Sequence, residues 1–509
     1  MSVSVEVTPP PTNRIRQALA DGRFFWTIEF VASCDHVLGE DLVQLDAFVR
    51  ELGRRDEVAG FSVTDRVHSD SDPDPVKMAA TVMEHTGSQP LVHWSGKDRS
   101  EHDLHDSLAA MQGAGLENLL LLSGDKLKEP PTDRRPRYLE SVPAIQIARE
   151  HNSQLLIAAA LNPFKYREEE AMAQYLKLGK KIGAGADFLI TQIGFDIKKH
   201  QEALFWMDAR GYRVPMVANV MALSAARARY IRRNRLAGVT ITDDYFELLQ
   251  AEEAQLTRLA AGARVTRRLA LQIVGLRLLG YSGVQLTAIN ALETLTTLYK
   301  QVDYLAAKCP DRISWNRAWA EALRLPSAQV ADTAPADGWY LVTRRPQPAP
   351  LRDRLKYHLM DGIHRSLFER GPLVQLLRRC LAPIQRHTRA DRGLVRLERA
   401  IKAPLFGCET CGLCRLAATQ YVCPETCPKG LANGACGGTD MNRCEFEHQE
   451  CIHSRKYRIA KSVGVLPQLE TWLIQAVPED VRGSSSWPPH FRDGGPRITR
   501  VQPGREAER

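Results

Sequence analysis

Eight short runs rich in β-branched and apolar residues, separated by amphipathic helical patterns, constrain this chain more than any other feature. They are Trp26–Val31, Gly60–Thr64, Leu91–Ser95, Asn118–Ser123, Leu155–Leu161, Phe188–Ile193, Val214–Val220 and Gly283–Ile289. Helical patterns such as Asp41–Leu52, His102–Gly113, Glu168–Ile182 and Leu223–Arg233 lie between them. Near-continuous apolar strands need cover on both faces, and a parallel sheet flanked by helices supplies it. Eight such units in about 280 residues predict an α/β fold, a closed (β/α)8 TIM barrel. An open doubly wound sheet is disfavoured, because no strand leads into G-x-G-x-x-G. A longer helical stretch, Tyr245–Leu279, precedes the eighth strand as an insertion.

The barrel is assigned to residues 24–310, after an N-terminal extension over residues 1–23. Residues 311–402 read as an Arg-rich helical linker and residues 403–470 as a small Cys-rich domain. Residues 480–509 form a polar, Pro- and Gly-rich tail expected to be disordered. A chain of 509 residues with 44% hydrophobic and 25% charged residues has ordinary globular composition. That excludes collagenous, coiled-coil and wholly disordered classes. No apolar run approaches the ~18 residues of a membrane span, and the first twenty residues lack a signal-peptide pattern. The expected compartment is the cytoplasm, without a membrane partner.

The formal charge of +8 is unevenly spread. Between Asp311 and Gly407 stand 18 Lys and Arg against 9 Asp and Glu. Such a segment could meet nucleic acid, an acidic partner or phosphates. It has no nucleic-acid motif, and a solvated helical surface is the commoner meaning.

Of 11 cysteines, Cys34, Cys309 and Cys380 are scattered, and eight fall between Cys408 and Cys451. In a large chain without a secretion signal that density favours metal over disulfides. Cys408, Cys411 and Cys414 form CxxCxxC, whose spacing lets one turn present adjacent sulfurs. Cys423, followed by Pro424, and Cys427, Cys436, Cys444 and Cys451 complete the set. Eight thiolates suffice for two four-thiolate sites, zinc or iron–sulfur. His448 and His453 could substitute as ligands, although surface histidines are the commoner case.

A barrel active site lies at the C-terminal ends of its strands. Glu29 stands inside the otherwise apolar first strand, where burial would raise its pKa toward general-acid use. His93, Ser123-Gly124-Asp125, Asn162-Pro163 and Thr191-Gln192 supply further polar groups at strands three to six. Any one could be a turn cap; together they mark a site.

These residues resemble the methylenetetrahydrofolate reductase family over about Phe24–Leu305. The matching pieces are Ile28-Glu29-Phe30, Ser62-Val63-Thr64, His93 with Lys97-Asp98-Arg99, Leu122–Asp125, KKIGAGADFLITQIGFD from Lys180, and Thr287–Asn290. The resemblance implies a flavoprotein that reduces 5,10-methylenetetrahydrofolate to 5-methyltetrahydrofolate in one-carbon and methionine metabolism. FAD would be its cofactor and NAD(P)H its electron donor. Glu29 would be the general acid. Asp125 would hold the pterin edge and bias the flavin electrostatically, and Gln192 would add a second pterin contact. Thr64, His93, Ser123, Gly124, Asn162 and Lys181 would touch FAD, with Lys181 meeting a phosphate. Three places depart from the family: Ser123 where Arg is common, LNP ending strand five where an aromatic precedes the proline, and MVANVMALS at strand seven.

The run from about Arg396 to Lys461 resembles a C-terminal domain fused to, or partnering, some bacterial reductases of this family. That implies assembly with an electron-supplying partner or electron relay. The expected partners are the folate substrate, an acidic electron-donor protein and a second copy in a homo-oligomer, with no nucleic acid. Three other readings stay open: the reverse oxidation of 5-methyltetrahydrofolate, a methyl transferase on the same barrel, and a metal-bearing scaffold for a separate reductase.

Overall fold

The computed structural model describes residues 11–31, 57–67, 69–289, 291–331, 348–446 and 449–502. The expected helix Asp41–Leu52, Cys34, Asn290 and His448 lie outside the described residues. Among the described residues, eight parallel strands close into a barrel in sequence order. They are β1 Phe25–Phe30, β2 Val58–Val63, β3 Leu91–Ser95, β4 Asn118–Leu122, β5 Leu156–Leu161, β6 Phe188–Thr191, β7 Met216–Met221 and β8 Gly283–Thr287. The expected TIM barrel is therefore found, each strand within about two residues of its predicted limits.

Alternation along the strands builds two cores. Phe25, Leu91, Leu120, Leu156, Phe188 and Val217 cluster together, joined by Ile15 and Ala18. Those two come from the helix Arg14–Ala20, so the N-terminal extension contributes to the barrel core. Trp26, Val63, Val92, Leu119, Ile157 and Leu189 instead pack under the surrounding helices.

The insertion before β8 is two helices, Asp243–Gln255 and Arg258–Leu279. Thr257 caps the second by accepting from the amide of Ala260, which restarts the chain in a new direction. The helix Arg312–Leu323, expected in the linker, belongs to the barrel. Its Trp315 donates from Nε1 to the carbonyl of Leu271 at 2.7 Å. A Cβ at Gly275 would stand 2.0 Å from the Trp315 ring, so glycine is what permits this close approach.

Helices Leu351–His364, Leu373–Leu381 and Arg389–Phe406 follow, then the Cys-rich module with the helix Ile452–Ser462. Residues 480–502, expected to be disordered, are structured. The strand β10, Ile498–Arg500, pairs antiparallel with β9, Trp472–Ile474. Ser484, Ser485 and Phe491 are buried. Polar composition misled here because Ser485 and Ser486 are interior partners of Glu398 rather than solvated linker.

Candidate active site at the barrel mouth

Glu29 ends β1 with its side chain partly exposed, yet the enclosing protein withdraws enough water to push its carboxyl up to about 7. Its Oε2 meets Thr287 Oγ1 at 3.1 Å and Gln285 Nε2 at 3.4 Å, both on β8. Thr287 Oγ1 also lies 2.7 Å from Asn219 Oδ1 on β7. A hydroxyl has one hydrogen. If Thr287 gives it to Asn219, the contact to Glu29 is satisfied only when Glu29 carries the proton. Burial raises the carboxyl while the bonds from Thr287 and Gln285 lower it by less, which leaves a group that titrates near neutral pH. Asn219 is held in turn, its amide donating to Thr191 Oγ1 on β6 at 3.1 Å.

Asn219, Gln285 and Thr287 were missed as site residues by the sequence reading. The signal was the one that found Glu29, a polar residue inside an apolar strand, in MVANVM and GVQLT.

His93 is buried on β3, and burial lowers its pKa to about 4, so its ring is neutral. Its Nε2 has no hydrogen-bond partner among the described residues. Ser62 Oγ on β2 and Ser95 Oγ on β3 are likewise buried and unpartnered. Such groups are costly unless a ligand or water completes them.

Asp125, just after β4, is 58% exposed and pairs with the Lys97 ammonium at 3.0 Å. Lys97 is itself buried and donates to the Arg66 carbonyl at 2.7 Å. Gln192, after β6, accepts from the amide of Ile193 at 2.8 Å and donates to the Ala237 carbonyl at 3.2 Å.

The side of the mouth formed by β4 and β5 is covered by the Cys-rich module. Asn162 donates both amide hydrogens, to Gly437 O at 2.8 Å and Gly238 O at 2.9 Å, and accepts from Phe164 N at 3.1 Å. Lys429 donates to Gly124 O at 2.8 Å and pairs with Glu445 at 2.5 Å, while Glu445 accepts from Lys126 N at 2.7 Å. Lys165 reaches Thr439 O. Glu140 takes the amides of Ala432 and Asn433 and pairs with Lys177 at 2.8 Å. Burial would raise the Glu140 carboxyl, but Lys177 and Asn433 hold it down at about 2.

The docking reaches two of the implied FAD contacts, Asn162 and Gly124, and three others are bonded within the barrel. Thr64 Oγ1 donates to Phe30 O at 3.4 Å, and Ser123 Oγ accepts from Ser141 N at 3.1 Å. Gly124 O and Asn162 are bonded as described. Lys181, expected to meet a phosphate, is buried and donates to Ala160 O at 2.5 Å, and burial followed by Lys177 lowers its pKa to about 7. Of the six, His93 alone has a buried side-chain polar atom with no hydrogen-bond partner among the described residues. The other five already have a hydrogen-bond partner within the protein.

The module's thiols sort into two groups. Cys408, Cys411, Cys414 and Cys423 line one small cavity of about 20 Å³. Cys427, Cys436, Cys444 and Cys451 influence one another electrostatically. Burial pushes Cys411 and Cys427 up to about 11 and Cys423 to about 12. The donor chemistry of each group suits a metal, but among the described residues no three His, Cys, Asp or Glu groups converge as a ligand set. His453, read as a surface residue, is buried, with Nε2 unpartnered among the described residues. No helix of the described residues is long and apolar enough to cross a membrane.

The model of the methylenetetrahydrofolate reductase family matches residues 14–303. A second model, methylene-tetrahydrofolate reductase C terminal, matches residues 387–478. Methylenetetrahydrofolate reductase 1 of Schizosaccharomyces pombe is 26% identical over 164 residues, covering 31% of this chain and 26% of that protein. Methylenetetrahydrofolate reductase 2 of Saccharomyces cerevisiae is 23% identical over 177 residues, covering 33% and 29%. The matches thus span less than a third of those relatives. An uncharacterized Clostridium thermocellum protein that binds two copies of 5-methyl-5,6,7,8-tetrahydrofolic acid aligns at a TM-score of 0.44 and 11% identity, over 58% of this chain and 99% of that one. With its barrel matched over more than half its length, this chain belongs to the methylenetetrahydrofolate reductase family, a generally flavin-dependent group of oxidoreductases, and carries the family's C-terminal domain.

Proposed function

We propose that the chain reduces 5,10-methylenetetrahydrofolate to 5-methyltetrahydrofolate, with Glu29 as general acid. The protonated, hydrogen-bonded carboxyl at the end of β1 carries this reading. Glu29 gives its proton to N10 of the bridged folate as the N10–methylene bond breaks, leaving a 5-iminium cation. The Glu29 carboxylate formed in that step stabilises the cation electrostatically. A hydride from reduced nicotinamide dinucleotide then reaches the methylene carbon. Thr287 and Gln285 hold the carboxyl in place, and Asn219 orients Thr287. Asp125 offers its exposed edge to the pterin's amino-pyrimidine, steadied by Lys97. Five of the six residues that the resemblance assigns to FAD already have internal partners, so no step is routed through a bound flavin.

The thiol groups of the module would hold metal, Cys408, Cys411, Cys414 and Cys423 at one centre and Cys427, Cys436, Cys444 and Cys451 at the other. Zinc there would be structural, whereas an iron–sulfur cluster would carry electrons.

The module's cover over β4 and β5 favours a second reading, in which the chain is a scaffold for a separate reductase. Glu29→Gln separates them. Under the catalytic reading, folate-dependent oxidation of NAD(P)H falls by roughly 10²–10⁴-fold at pH 7. Unchanged turnover would sink it, and running the assay from 5-methyltetrahydrofolate sets the direction.

A further inference from the structure

The helices Leu351–His364, Leu373–Leu381 and Arg389–Phe406 are amphipathic in the reverse of the usual sense. Leu351, Leu355 and Leu359, spaced to share one helix face, are about 60% exposed. Leu373, Leu376, Leu397, Ile401 and Leu405 are each about half exposed or more. The helix Leu373–Leu381 buries no residue at all. The helix Arg389–Phe406 buries Asp391 and Glu398 instead. Glu398 is bonded to Ser485 Oγ at 2.7 Å and Lys402 at 2.6 Å, and Asp391 accepts from Ser485 N at 3.1 Å. The first and third of these helices meet, since the Lys356 ammonium sits 4.2 Å from the Phe406 ring centroid.

Drawing the carboxylates inward leaves the outer face almost purely cationic. Between Leu351 and Phe406 stand 13 Lys and Arg, 11 of them Arg, against 5 Asp and Glu. Three of those five, Asp353, Asp391 and Glu398, are buried. Exposed leucines and isoleucines recurring along helices of one charge sign mark an interaction face.

We infer that this face docks a protein whose matching surface is acidic around an apolar centre. Arginine over lysine by 11 to 2 favours a protein partner, because guanidinium forks bind carboxylates bidentately and Arg is enriched at interfaces where Lys is depleted. A second copy would set like charges against each other. A lipid surface is disfavoured because no Trp or Tyr stands among the exposed apolar groups here. The inference does not depend on the chain's own catalysis.

The test is photo-crosslinking from Leu359 in full-length protein in its native cells, with Leu259, 86% exposed on a barrel helix, as control. The expected result is one protein captured from Leu359 and not Leu259, through a peptide rich in Asp and Glu. Capture should fall at least tenfold in Arg378→Glu/Arg379→Glu, whose thermal unfolding is unchanged. Capture of a second copy, of lipid, or of nothing overturns the inference. So does a partner whose capture ignores the charge reversal.

Discussion

Asn162, at the end of β5, donates to the carbonyl of Gly437 at 2.8 Å and so ties the barrel's catalytic rim to the Cys-rich module. The contact uses a side chain that the family resemblance assigns to FAD. Lys429 makes a parallel tie, its ammonium bonded to the carbonyl of Gly124. The module is thus a wall of the site rather than an appendage on a linker.

The wall occupies two of the residues that the resemblance assigns to FAD, Asn162 and Gly124. Full-length protein, purified and incubated with FAD, is expected to show no stoichiometric flavin absorbance. Asn162→Ala should not create a site by itself, since Gly124 and Lys181 stay bonded. Tight FAD retained through gel filtration would show that the module moves aside and that the bonds at Asn162 are broken in the holoenzyme.

The pH dependence of Glu29 has a definite sign. Burial raises its folded pKa to about 7 from 4.5, so the folded state binds the extra proton between those values. Stability therefore falls as pH rises from about 4.5 to 7 and stays lower above that. Glu29→Gln removes this loss, so its unfolding midpoint, compared with wild type, should gain at pH 8 and not at pH 4. Activity of the wild type should decline above about pH 7, where the acid loses its proton. An equal effect of the substitution at both pH values would refute the assignment.

Removing Lys429 should cost more than the loss of a surface lysine, because it is buried. It is buried with Glu445, and burial alone would lower its pKa, but Cys436 and Glu445 carry it above the ordinary lysine value. Lys429→Met strands the Glu445 carboxylate, at a cost of roughly 3–5 kcal/mol. Lys429→Met/Glu445→Gln should recover a large part of this in denaturant unfolding. Equal losses in the single and double variants would mean the pair is not coupled.

Metal content should divide by group. Anaerobically purified protein is expected to carry iron or zinc, and Cys411→Ser and Cys451→Ser should each lose part of it, with the double variant losing nearly all. Cys309→Ser should lose none. Elemental analysis checks this, and loss of all metal from either single variant would merge the two groups into one centre.

Much of the architecture was legible because strand identity depends on local composition. WTIEFV, LVHWS and LIAAAL need burial on both faces, and the helices between them supply it in a parallel sheet, which eight units close into a barrel. Glu29 stood out for the same reason, since a carboxylate inside such a strand is costly unless used. The tail failed this logic. GSSSWPP reads as linker, yet its serines satisfy Asp391 and Glu398 on a helix more than 80 residues earlier.

The sequence by itself determined the eight strands, the carboxylate inside the first of them, the eight clustered thiols and the family. Only the tertiary structure decided that the Cys-rich module lies across β4 and β5, that five of the six expected flavin contacts have partners inside the protein, and that the Arg-rich helices bury carboxylates and expose leucines. The difference is physical. Burial of an apolar run is dictated by its own residues, whereas the partner of a side chain such as Asn162 is set by which distant backbone carbonyl the fold brings within hydrogen-bond reach.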